Sequence, residues 1–242
     1  MRCDSGVMPG TPRERAREQT LEDITRIGRQ QLTEAGAAAL SLRAVARELG
    51  VVSSAVYRYV ADRDDLLTLL VVDAYTELGD EVDAAVAAAG GEGPVDPVDR
   101  FTALAHAVRG WALREPSRWA LLFGSPVPGY RAPAERTTAQ GTRVITLLAR
   151  IMDDAWVDGD VSATDDDAPA ALAEDFRLIR EQLALEAPDA LIAATVQVWS
   201  ALFGAVSFEV FGQYGADTFT DRDALYSYTV DRLATQLGLR PA

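Results

Sequence analysis

The sequence predicts an all-α chain: an N-terminal three-helix helix-turn-helix domain followed by a larger helical body. Three observations predict it. Apolar residues recur at i, i+3, i+4 and i+7 spacing through most of the 242 residues, and no stretch alternates as a half-buried strand would. Caps and breakers such as Thr11-Pro12, Ser41, Gly50 and Asp96-Pro97 cut that pattern into helix-sized pieces. The stretch Ser41–Arg63, SLRAVARELGVVSSAVYRYVADR, places two short helices around a tight turn. Tyr, Ser and Arg side chains occupy its outer side, which is how a reader of the DNA major groove is built.

Residues 1–10 read as a disordered tail and 11–63 as the helix-turn-helix domain; 64–242 form the body. Thr11-Pro12-Arg13-Glu14 supplies an N-cap, a first-turn proline and the Glu of a capping box, so helix one should run to about Glu34. Its apolar stripe is Leu21, Ile24, Ile27 and Leu32. Ser41 caps helix two, where Leu42, Val45, Ala46 and Leu49 share one buried face. Gly50 can take the positive φ of a tight turn, and Val51 is expected to plug that turn. Helix three should span Ser53 to near Tyr59, with Ala55 and Val56 facing inward.

Asp62 or Asp64 caps a long fourth helix to Ala89, a rod of roughly 40 Å. Gly90–Pro94 breaks it. Helices are then expected from Asp96-Pro97 to about Glu115, from Pro116 through Phe123, from Ala134 to about Asp158 and from Leu172 to about Leu185. Two more close the chain, Asp189 to Phe211 and Asp221 to Leu237. The former is apolar over most of its circumference and so needs more than one partner, part of it a second subunit.

Charge sorts the two parts. The chain carries a net −14, and all 23 basic residues are Arg. Residues 1–63 hold 10 Arg against 8 Asp and Glu, whereas residues 64–242 hold 13 Arg against 29. Nucleic acid is therefore expected to meet only the N-terminal part, with the acidic body held away from phosphates. Cys3 is the sole cysteine, which excludes an intrachain disulfide and a thiolate metal cluster. The N-terminus lacks the apolar core of a signal peptide, and no apolar run is expected to reach the ~18 residues of a membrane span, so the chain is expected in the cytoplasm.

At this point the residues resemble a known family. LSLRAVARELGVVSSAVYRYVADRDDLL is similar to the reader of the tetracycline-repressor (TetR) family of bacterial regulators, in a match covering roughly residues 13–75. The segments WALREPSRWALLFGSPVPGYRAP and WSALFGAVSFEVFG resemble a subclass named for a Trp-His-Gly signature, although Phe203, beside Gly204, stands where that His would be. The resemblance implies a homodimer joined through its last two helices. It also implies an effector cavity in each body, and a repressor that a small hydrophobic molecule releases from a palindromic double-stranded operator.

In that reading Arg43 reaches a base edge or phosphate, and Tyr57 and Tyr59 donate hydroxyls to phosphates. Ser41 caps the helix that carries Arg43. Ser53 and Ser54 let a helix N-terminus approach the groove, Arg58 reads a base, and Arg63 holds a phosphate. On the ligand side Trp111, Trp119, Phe123, Trp156, Phe176, Trp199 and Phe203 are the candidates to line a hydrophobic cavity, with His106 and Glu209 to orient its occupant. For each of them ordinary core filling is the competing role. No cofactor or metal is expected: the run Asp165-Asp166-Asp167 lacks the spacing of a calcium loop. Two other functions compete, a helical enzyme using the aromatic body and a DNA-binding protein without an effector. Against the enzyme, the sequence has one His and no phosphate loop, nucleophile elbow or metal-ligand spacing.

Overall fold

The computed structural model describes residues 11–90, 96–161 and 168–239. The disordered tail expected for residues 1–10, most of the Gly90–Pro94 break and the acidic run Asp165–Asp167 lie outside them. Among the described residues the chain is all-helical, with eleven α-helices and two short 3-10 turns, Ala37–Ala39 and Ala170–Leu172.

Helix α1 (Pro12–Ala35) starts on the expected capping box: Thr11 Oγ1 accepts from Glu14 N, and Glu14 Oε2 accepts from Thr11 N at 2.7 Å. Helix α2 (Leu42–Glu48) is capped by Ser41, and Gly50 takes φ +69° in the turn to α3 (Ser53–Val56). Ile24, Ile27, Leu42, Val45, Val56 and Val60 bury completely or nearly so, and the first turns of α4 (Arg63–Ala89) close this small core with Leu66, Leu67 and Leu70. Each such side chain contributes ~1.5–3 kcal/mol on burial. Gly28 permits the crossing of α1 over α4, since a Cβ there would sit 3.1 Å from Leu70.

The same rod then enters a second, larger core. Ala74, Leu78, Val82 and Val86 of α4 pack with α5 (Pro97–Arg114), α6 (Pro116–Phe123), α7 (Ala134–Gly141) and α8 (Arg143–Asp158). Helix α9 (Ala173–Leu183) lies against α10 (Asp189–Val210), and α10 and α11 (Arg222–Gln236) pair with each other and with α5. One helix thus belongs to both cores, and any tilt of it is felt at both ends.

Three expectations need correction. The single helix expected from Ala134 to Asp158 is interrupted at Thr142, where φ is −96° and ψ −3°. Long-range contacts impose that break: Gly141 seats on the Tyr75 ring, while Arg143 pairs with Asp80 at 2.7 Å and with Asp83, all three on α4. Val51 does not plug the turn but is 44% exposed; Val56 and Val60 fill the space beneath it instead. Finally, α10 is long and apolar enough, by length and composition, to cross a membrane, and only 39% of its most apolar window is buried in the protomer. Its packing on α5, α8, α9 and α11 makes it a bundle helix with one face left open.

Candidate nucleic-acid interface and body cleft

Helix α2 is oriented by α1: Ser41 N donates to Gln31 Oε1 at 3.0 Å, and Ser41 Oγ accepts from Ala44 N. That cap leaves Arg43 pointing outward and exposed. Across the turn, Tyr57 is 46% exposed, and Arg58 and Ser54 are exposed as well. Ser41, Arg43, Tyr57 and Arg63 together line one shallow groove between the start of α2 and the end of α3. Helix α3 has no side-chain cap, so its first N–H groups face solvent or an anion.

Two candidates sit differently from the expectation. Tyr59 is half-buried, packed against the small core, with the Arg17 guanidinium 5.3 Å from its ring centroid. Arg63 donates from Nη2 to the Ala37 carbonyl at 2.9 Å and lies 3.7 Å from Asp64, so its charge already stitches α4 to the loop before α2. Sequence reasoning missed Val52. It is 72% exposed at the head of α3, an apolar side chain able to contact a thymine methyl group. The signal was its position at the start of the second reader helix.

Among the described residues, aromatic candidates of the body pack on one another, in the core-filling role that competes with a ligand contact. Ring centroids lie 6.5 Å apart for Trp111–Trp119, 4.4 Å for Trp119–Phe123, 5.4 Å for Trp119–Phe203 and 5.6 Å for Trp199–Phe203. Trp119 donates to Ser207 Oγ and Trp111 to Glu77 Oε1, both at 3.2 Å. Phe176 is buried in the same core, and Trp156 is half-buried against it. Large flat side chains reach solid packing more readily than they leave a void.

His106 and Glu209 are also committed elsewhere. His106 is exposed, with its ring edge-on to Tyr226 at 5.5 Å; burial and then the Arg109 charge hold its pKa below the usual imidazole value. Glu209 is buried and accepts two hydrogen bonds from Arg109, each 2.7 Å, while Asp223 takes the remaining nitrogen at 2.7 Å. The hydrogen bond to Glu209, more than the nearby charges, raises the Arg109 pKa further. Among the described residues no group of His, Cys, Asp or Glu is placed to hold a metal ion.

The apolar cleft of the body lies elsewhere, between α7–α8, the end of α9 and the start of α10. It has a volume of about 230 Å³ and is lined by residues such as Thr138, Thr146, Met152, Leu183 and Ile192. None of the nine residues expected to hold a ligand is on its wall. Sequence reasoning looked for aromatic side chains, whereas this wall is aliphatic and threonine-bearing.

Comparison with known proteins agrees with this architecture. Residues 24–70 match the family described as "Bacterial regulatory proteins, tetR family", and residues 101–233 match "Tetracyclin repressor-like, C-terminal domain". The HTH-type transcriptional regulator Rv1816 of Mycobacterium tuberculosis is 49% identical over 211 residues, covering 87% of this chain and 89% of the relative. The HTH-type transcriptional regulator Mb1846 of Mycobacterium bovis matches equally well. Among solved structures, SCO4313, described as a regulatory protein, superposes with a TM-score of 0.74 at 35% identity over 93% of this chain and 100% of its own.

Proposed function

The chain belongs to the TetR family of bacterial regulatory proteins, and on that premise we propose that it is a cytoplasmic, homodimeric repressor released from a palindromic operator by a small hydrophobic molecule. The observation that carries the DNA side is the groove that gathers Ser41, Arg43, Tyr57 and Arg63 on the one part of the chain without a large acidic excess. Arg43 and Arg58 are placed to read bases. Tyr57 and the uncapped start of α3 at Ser53 and Ser54 hold the backbone. Tyr59, under Arg17, supports that face from behind.

Dimerisation is supported by the open face of α10 and α11. Val196, Phe208 and Phe211 are 40%, 54% and 40% exposed, and Tyr228 is 64% exposed, all on the last two helices or at their edge. Two readers joined through that face fit half-sites centred ~34–36 Å apart. The cleft beside α10 is the place for the effector, since an occupant there bears directly on the helix that spaces the readers.

Selection of bound sequences from a random DNA library, followed by footprinting, tests the reading. A two-fold symmetric site with that spacing is the expected result. Recovery of no enriched sequence, or of a single unpaired half-site, would remove it.

A further inference from the structure

The geometry points to an unbranched, uncharged aliphatic chain as the occupant of the body cleft. This rests on the reading of that cleft as the effector site, and it names the ligand's class. The lining residues of α8, from its N-cap Thr142 to Met152, span roughly 15 Å at ~1.5 Å per residue, and Thr138 on α7 adds to that wall. A volume of about 230 Å³ lies below the ~300 Å³ at which compact drug-sized sites begin, and beside a wall of that length it suits a slender occupant. An extended alkyl chain can lie along such a wall from end to end.

The chemistry of the wall agrees with the shape. Among the described residues no Asp, Glu, Arg, Lys or His side chain lines the cleft. A buried carboxylate or ammonium would therefore meet no counter-charge there and would bear its desolvation cost alone. The Thr142 and Thr195 hydroxyls are already spent on Thr138 O and Leu191 O, at 2.8 and 2.7 Å. Thr138, Thr146 and Gln182 are left to meet one neutral polar group.

The backbone marks the same place. Ala184 has φ +53°, the sole non-glycine residue at positive φ among the described residues, and it lies between Leu183 and Leu185. Both leucines belong to the cleft wall. That left-handed turn ends α9 and brings two large side chains, one on either side of Ala184, onto one slot. An alternative backbone without the turn would turn one of them away.

The test uses the full-length protein and titration calorimetry with 1-decanol, sodium decanoate and 2-naphthol at neutral pH. Saturable binding of 1-decanol is expected, with decanoate and 2-naphthol at least tenfold weaker. Ala149→Phe, which fills the slot from α8, should abolish 1-decanol binding. Gln182→Trp, on the exposed rim of α9, should weaken it tenfold or more without touching the core. Absence of 1-decanol binding, equal binding of decanoate or 2-naphthol, or wild-type affinity in a folded Gln182→Trp protein would each overturn the assignment. The outcomes for repression are separate. Saturable 1-decanol binding that Gln182→Trp abolishes supports the chain-binding cleft even if 1-decanol leaves the selected DNA bound, and in that case the effector reading falls.

Discussion

Arg43 and Arg63 border the same groove but differ in what their guanidinium groups are already doing. Arg63 is bonded to the Ala37 carbonyl, whereas Arg43 stands exposed at the first turn of α2. Arg43→Ala is therefore expected to weaken operator binding by about tenfold or more, the range of one lost base contact at ~1–3 kcal/mol. Arg63→Ala should act mainly on the fold, lowering the melting temperature through a lost charged hydrogen bond of ~1.5–3 kcal/mol. Gel-shift titrations beside thermal melts separate the two, and a reversed pattern would reassign the groove. The same logic applies to Trp119, which is fully buried and touches three other aromatic rings. Its replacement by Ala should cost ~3–5 kcal/mol in denaturant unfolding, the signature of a core residue. Loss of 1-decanol affinity at unchanged stability would instead return it to the ligand site.

Between helices, one ion network ties the reader to the body. Arg29 of α1 holds Asp73 of α4 through Nε at 2.7 Å and Nη2 at 2.5 Å, and lies 3.2 Å from Glu77. Arg118 of α6 reaches the same two carboxylates at 3.0 and 2.7 Å, with its guanidinium 5.2 Å from the Trp111 ring centroid. The Arg118 side chain is 3% exposed, and its Nε has no partner among the described residues. Removing one partner of a buried pair costs ~3–5 kcal/mol. Arg118→Ala should fall at the low end, because Asp73 and Glu77 remain part-exposed and keep Arg29. Burial alone would raise the Glu77 pKa, but the hydrogen bond and charge of Arg118, then Arg29 and Trp111, carry it below its ordinary 4.5. A carboxyl depressed in the folded state contributes stability that is complete above its unfolded pKa and lost as pH falls through the folded one. Unfolding free energy should thus drop below pH 4.5 in the wild type and drop less in Arg118→Ala, as denaturant titrations across that range would report. An equal acid loss in both would detach Glu77 from the network. This network was illegible in the sequence, as was the break at Thr142, because both are set by side chains dozens of residues apart. The caps at Thr11 and Ser41 and the turn at Gly50 were legible because each is decided within four residues, and the fourth-helix cap was narrowed to Asp62 or Asp64, of which Asp62 serves. The aromatic residues of the body stayed ambiguous for a related reason: aromatic content is visible in a sequence, but whether rings pack or enclose space depends on how the helices meet.

At the scale of the whole molecule, the protomer leaves its most apolar helix half covered, and its reader can meet only one major groove at a time. Both facts bear on Gly204, near the middle of α10's exposed apolar face. A Cβ added there meets no atom of the described residues within 4 Å. A side chain at Gly204 therefore begins in open space, and replacing a mid-helix glycine favours the helix by up to ~1 kcal/mol. In Gly204→Trp the new side chain starts on the open face of α10, where a partner's surface would meet it. If two copies of α10 and α11 meet as a four-helix interface, the wedge should raise the dimer dissociation constant by a hundredfold or more, with no loss of helicity or melting temperature at monomer concentrations. Operator affinity should fall with it. A second reader tethered at millimolar effective concentration strengthens binding by ~10²–10⁴ over a single one, and a monomer forfeits that gain. Sedimentation velocity across a dilution series reports the first effect, and gel shifts at the same concentrations report the second. A Gly204→Trp protein that sediments as the wild type does would place the interface elsewhere. One that dissociates yet binds the operator undiminished would leave each reader sufficient alone, and the long acidic body would then need another purpose.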